Sequence, residues 1–162
     1  MLEIRVLPRK KFDKEGISGT HTTTDEGKHI IEIPKGASTR TRLHEIGHYV
    51  LDHDDERITY KELVDREISA EAFAYESMGK KPTWRIAIPV MSDIIYDHNF
   101  SPNEAFNLAL DSFKKININL SKYDRASLWS YCLGSDEIRR KTPVGDILSE
   151  SKSQRILDLF ED

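Results

Sequence analysis

A single cysteine among 162 residues leaves Cys132 without an internal disulfide partner, so no covalent cross-link holds this chain and its core must rest on burial. Long apolar runs are missing as well. The longest, such as Ile86-Ala87-Ile88-Pro89-Val90-Met91, fall far short of the roughly 20 residues that span a bilayer. Met1-Leu2-Glu3-Ile4-Arg5-Val6-Leu7 has neither an apolar signal core nor a small-residue cleavage site, so the expected compartment is the cytoplasm, with no membrane partner. There is no large charge excess. Lys and Arg number 24 against 28 Asp and Glu, giving a net charge of −4, which opposes direct nucleic-acid binding as the main function. The local basic run Arg9-Lys10-Lys11 reads as a solvated loop. Repeats and low-complexity tracts are also lacking. What is present is a balance of 38% apolar and 32% charged residues, which suits a globular chain long enough for one domain and too short for two large ones.

The organisation follows from periodicity and punctuation. Leu2, Ile4 and Val6, the threonine-rich stretch 20–24, and Ile30, Ile31 and Ile33 form short β-prone segments separated by glycines. They predict a small antiparallel sheet over 2–7, 19–24 and 28–34, with Asp25-Glu26-Gly27-Lys28 as a hairpin turn. After Gly36 the chain reads as helix. Ser38 or Thr39 caps a helix to about Leu51, with Leu43, Ile46, Gly47, Val50 and Leu51 inward. The acidic Asp52, Asp54 and Asp55 disfavour its continuation. A second helix spans about 59–78 and closes at Gly79. Ser101-Pro102-Asn103-Glu104 opens a helix with Phe106, Ala109, Leu110 and Phe113 inward. Ser121-Lys122-Tyr123-Asp124 opens another, carrying Leu128, Trp129 and Cys132 and ending at Gly134, with Cys132 in a structural role. The expected class is α+β, in which the sheet packs on the first two helices and an all-helical half follows. The metal-site domain covers 1–134, divided into sheet (1–36), site helices (37–79) and helical portion (80–134). Residues 135–162 read as a polar tail with one short amphipathic segment at Ile156, Leu157, Leu159 and Phe160.

Chemistry is concentrated in His44-Glu45-Ile46-Gly47-His48. Histidines four residues apart project from one helix face, so both imidazoles reach one ion while Glu45 lies beside an open coordination position. That is a zinc-site spacing. A glycine inside a helix costs about 1 kcal/mol relative to alanine, so Gly47 points to close packing beneath the site. A catalytic zinc usually has three protein ligands, and Glu67, Glu71 and His53 are the candidates. His53 would have to fold back along its helix. Glu67 can approach from a separate antiparallel helix, leaving Glu71 to accept from the far nitrogen of a ligand imidazole.

His44-Glu45-Ile46-Gly47-His48-Tyr49-Val50-Leu51-Asp52-His53, followed by Glu67-Ile68-Ser69-Ala70-Glu71-Ala72-Phe73-Ala74, resembles the ImmA/IrrE family of zinc-dependent peptidase-like proteins of the gluzincin class. The resemblance spans about 28–78, and Glu71 stands where relatives commonly carry asparagine or aspartate. It implies Zn2+ held by His44, His48 and Glu67, with Glu45 as catalytic base and His53 near the site mouth. The activity it implies is hydrolysis of a protein substrate, with a regulator such as a phage or mobile-element repressor as the expected class. The competing expectation is a non-enzymatic, zinc-stabilised module that binds a protein partner. A deformylase-like hydrolase would need a cysteine ligand upstream, and Cys132 is downstream. Strand 29–33 would serve either as an edge for an extended substrate or as an ordinary core strand. Tyr60, Tyr75, Tyr96, His21, His29 and His98 are the available oxyanion donors.

Overall fold

A computed structural model describes residues 1–15, 17–53 and 58–141. Contacts divide the chain into two compact units, Met1–Lys81 and a second that begins at Pro82. The expected α+β class holds, with a three-stranded sheet and the remaining elements helical. None of the helices is long and apolar enough to cross a membrane among the described residues.

In the first unit, β1 (Leu2–Leu7), β2 (Thr20–Thr23) and β3 (His29–Pro34) form a sheet in the order β1-β3-β2. The Asp25–Lys28 turn joins β2 to β3 antiparallel as expected, with Gly27 at φ +74° and its N–H donating to Thr24 O at 2.8 Å. The pairing of β1 corrects the expectation of an all-antiparallel sheet, because β1 runs parallel to β3. A parallel neighbour requires a crossover, and the segment read as a solvated basic loop begins it. Arg9–Glu15 is α1. Its single apolar side chain, Phe12, is 1% exposed, while Arg9, Lys10 and Lys11 remain in solvent. One large anchor suffices to dock a short basic helix, and one residue shows no period to read.

Helix α2 (Thr39–Val50) starts where Ser38 Oγ accepts from Thr41 N–H. It rests on β2 and β3 and crosses α3 (Tyr60–Ser77). Thr59 and Glu62 form a reciprocal capping box at the start of α3, and Gly79, at φ +72°, follows its end. Val50 and Leu51, expected inward, are exposed. Of the acidic run, Asp54 and Asp55 lie outside the described residues.

The second unit packs a 3-10 turn (Trp84–Ala87), α4 (Ile88–Tyr96), α5 (Pro102–Lys115) and α6 (Lys122–Lys141) around Ile86, Met91, Ile94, Phe113, Leu128 and Tyr131. Ser101 Oγ accepts from Glu104 N–H as expected, and Ala109 and Phe113 are buried, while Phe106 and Leu110 are only half-buried. Cys132 is buried, and burial pushes its thiol up to about 12, in keeping with a structural role. α6 does not end at Gly134. It continues for two more turns, in which Asp136 holds Arg139 and Arg140 at 2.6 and 2.9 Å at helical i,i+3 and i,i+4 spacing. These cations also suit the negative end of the helix. Residues 135–141 are thus helix rather than tail, and the amphipathic segment expected at 156–160 lies outside the described residues.

If Phe12 anchors α1, Phe12→Ala should destabilise the protein by about 3 kcal/mol in chemical denaturation, and a loss below about 1 kcal/mol would show that α1 is not docked through it.

Candidate metal centre

The site depends on how closely α2 and α3 approach. A Cβ placed on Gly47 would lie 3.0 Å from Phe73 Cδ1, 3.2 Å from Ala70 O and 3.3 Å from Ala70 Cα. Only a glycine there lets the two backbones cross at this distance. Gly47 lies between His44 and His48, and Ala70 lies one turn beyond Glu67, so the crossing sets the Glu67 carboxylate against both rings. His44 Nε2 and His48 Nε2 are 3.0 Å apart. Glu67 Oε2 is 3.2 Å from the first and Glu67 Oε1 is 3.3 Å from the second.

These three residues can hold a metal ion. Tetrahedral donors bound at about 2.0–2.1 Å stand about 3.3 Å from one another, close to the separations observed. The far nitrogens are engaged as well. His44 Nδ1 is 2.9 Å from Glu71 Oε1, although the approach is off the line of a directed hydrogen bond, so charge rather than alignment governs it. Glu71 is buried, and its other oxygen accepts from Arg40 Nη1 at 2.9 Å. His48 Nδ1 is 2.8 Å from His53 Nδ1. With both far nitrogens occupied, the Nε2 lone pairs are left to converge.

His53 reaches this place by the route that seemed unfavourable. Asp52 adopts φ 58°, the left-handed conformation that ends a helix, and the His53 N–H then donates to His48 O at 2.9 Å. The chain folds back and sets the His53 ring beside that of His48. It contacts the far side of a candidate ligand and does not supply the third donor itself.

Glu45 is 6% exposed and lies under the loop that enters β2, where a Cβ on Gly19 would come 2.8 Å from Glu45 Oε1. Burial raises its pKa above the usual carboxylate range, against the lowering fields of His44 and His48. Opposing effects also act on the donors. Burial disfavours charge on His44, but Glu67 and Glu71 outweigh it and raise its pKa from 6.5 to about 10. Burial likewise disfavours charge on Glu67, and hydrogen bonds from His44 and His48 override it, holding the carboxyl well below 4.5. Burial and the adjacent His48 lower His53 to about 4, so its ring is neutral at ordinary pH and able to accept a proton bond. Glu67 keeps 29% of its side chain exposed, against 12% for each histidine, so the donor set is open to solvent on the carboxylate side.

Two contributors carried no recognised signal in the sequence. Arg40 precedes His44 by one turn and so shares its face, a spacing that could have marked it. Gly19 has no such cue. His21 faces Ile31 across the β2–β3 ladder, on the side that meets α2, and its ring lies parallel to that of His48 with centroids 6.4 Å apart. Of the proposed oxyanion donors it is the one seen beside a candidate ligand. His29 Nδ1 is 3.1 Å from His21 Nε2, Tyr60 and Tyr75 lie on α3, and Tyr96 and His98 belong to the second unit. Strand β3 is paired on both sides and offers no free edge, which corrects its reading as a docking edge and supports the core-strand alternative.

No protein-family description, curated protein or solved structure matches the chain.

Without metal, the site holds a charged His44 against a charged Glu67. The raised pKa of His44 contributes stability that is complete below pH 6.5 and is lost as the pH rises to about 10. The lowered pKa of Glu67 contributes above pH 4.5 and is lost only as the pH falls below it. Chelator-treated protein should therefore melt at progressively lower temperature between pH 6.5 and about 10, and His44→Gln should flatten that slope. Identical slopes for the two proteins would contradict this electrostatic account. Gly47→Leu should force the helices apart and weaken divalent-metal binding by about tenfold or more in competition titrations; unchanged affinity would mean the crossing does not set the site.

Proposed function

We propose that this chain is a zinc-dependent peptidase of the kind its motifs resemble, acting in the cytoplasm on a protein substrate, with a regulatory or repressor protein as the class the resemblance suggests. The observation that carries the reading is the convergence of His44 Nε2, His48 Nε2 and the Glu67 carboxylate at 3.0–3.3 Å, with Glu45 adjacent in sequence to the first ligand. Two imidazoles and one carboxylate form a donor set suited to a catalytic zinc with a position left for solvent. When bound, zinc supplies Lewis acidity toward a carbonyl and makes water acidic enough to ionise near neutrality.

The protein's own groups then have separable tasks. Glu71 and His53 orient the ligand rings, and Arg40 holds Glu71. Glu45 stays off the donor set and serves as the group that takes a proton and returns it to the leaving amine. Burial raises its pKa, which brings a carboxylate closer to the range in which it can both accept and return a proton.

The burial of Glu45 beneath Gly19 favours a second reading, in which zinc only stabilises a module that binds a protein partner. One variant separates the two. Glu45→Gln should retain about one zinc per chain in elemental analysis while cleavage of a proteome-derived peptide library, read by mass spectrometry of new termini, falls by about 10²-fold or more. His44→Ala should lose the metal. Undiminished cleavage by Glu45→Gln would overturn the catalytic assignment. Zinc binding with no cleavage by the parent would favour the binding module, and no zinc in the parent would remove both readings.

A further inference from the structure

The sheet has an apolar surface that the metal site does not use. In the parallel register, Leu2 lies beside His29, Ile4 beside Ile31 and Val6 beside Ile33, so these three side chains share the face that α2 covers. α2 rests on β2 and β3, and β3 is the element that packs substantially on β1 among the described residues. Ile31 and Ile33 are consequently buried, whereas Ile4 is 49% and Val6 is 62% exposed. β1 also forms one margin of the sheet.

Its hydrogen-bonding groups are just as asymmetric. His29 N–H donates to Met1 O at 2.9 Å and Lys35 N–H donates to Leu7 O at 2.8 Å, one at each end of the ladder. Groups facing one neighbour alternate along a strand, so residues 1, 3, 5 and 7 turn their polar atoms toward β3. Leu2, Ile4 and Val6 turn theirs to the edge at which no strand pairs among the described residues. An exposed edge of this kind is a template for another strand.

We propose that β1 is a self-complementary docking strand, on which the β1 of a second copy of this chain adds antiparallel about a two-fold axis through Ile4. The register follows from the residues themselves. Centring the axis on Ile4 pairs each Ile4 with its symmetry mate and each Leu2 with the Val6 of the other copy, and these are the residues whose N–H and C=O groups point outward. Glu3 then falls opposite the Arg5 of the other copy, twice, on the opposite face. These are the non-hydrogen-bonded positions, where side chains approach most closely. A register shifted by one residue toward either end would lose that charge match and place outward-facing groups opposite inward-facing ones. Within one copy Glu3 already lies between Arg5 and Lys28, so the carboxylate is held on the polar face where the second Arg5 arrives. The result is a continuous six-stranded sheet in the order β2-β3-β1-β1-β3-β2, with the exposed Ile4 and Val6 side chains covered by those of the facing strand. This inference is independent of the proposed peptidase activity.

The test is sedimentation equilibrium of the full chain. At about 100 µM, a range in which small interfaces associate, the parent should move from 18.7 kDa toward twice that mass. Glu3→Arg places arginines opposite Arg5, and Arg5→Glu places glutamates opposite Glu3, so each variant alone should associate about tenfold more weakly. Mixing the two restores both opposite-charge pairs and should restore the dimer. Val6→Pro removes an N–H that the sheet of one copy does not use, so it should leave the monomer folded by circular dichroism while weakening association. A monomeric parent, single-charge variants that dimerise as the parent does, or a mixture of folded variants that stays monomeric would each overturn the proposal.

Discussion

The near-contact of two helix backbones at Gly47 and Ala70 is the constraint from which the candidate metal site follows. A helix can present two imidazoles one turn apart without help, but the third donor must come from elsewhere, and its position depends on interhelical distance. With no side chain at Gly47, α3 comes close enough for one Glu67 carboxylate to touch both rings. A side chain here would crowd Phe73 and the Ala70 backbone and push the helices apart. The unfavourable helix propensity of glycine is the cost of the closer approach.

Around that crossing the protein arranges charge so that the donors point inward. Glu71 is buried and would be costly alone, but Arg40 and His44 flank its two oxygens. His53, brought back by the left-handed Asp52, plays the corresponding part for His48 with a neutral ring instead of a carboxylate. The two candidate ligand rings thus have unlike supports, one anionic and one neutral, although they sit one turn apart on the same helix. Glu45 is kept apart from this network by burial under the β2 entry loop, and its environment opposes charge where that of Glu67 favours it.

Much of the fold was legible where the signal was local. Ser38, Gly79, Ser101 and the Asp25–Lys28 turn act through neighbours a few residues away, and each lies where its chemistry predicted. The same holds for the histidine spacing. Expectations failed where a distant contact decided the outcome. Phe12 makes a helix of a basic stretch because it has a core to enter, and that helix begins the crossover that makes β1 parallel to β3. Gly134 does not end α6, and Asp136 pairs with Arg139 and Arg140 across the turns that follow it. Val50 and Leu51 fit an inward stripe on a helical wheel, yet both are exposed, because the stripe alone does not fix which side of the helix meets the neighbouring elements.

By itself, then, the sequence determined the residue types, their spacing and the caps that make α2 and α3 helices, because these effects act within one or two turns of chain. It also determined which groups could bind a metal. Only the tertiary structure decided that Glu67 meets the ligand nitrogens while Glu71 meets the far side of His44, since both lie on one face of α3 and differ only in height along the crossing. The strand order was likewise decided there, and with it the open edge of β1, because backbone pairing depends on which segments meet in space and not on any property of the strands taken singly.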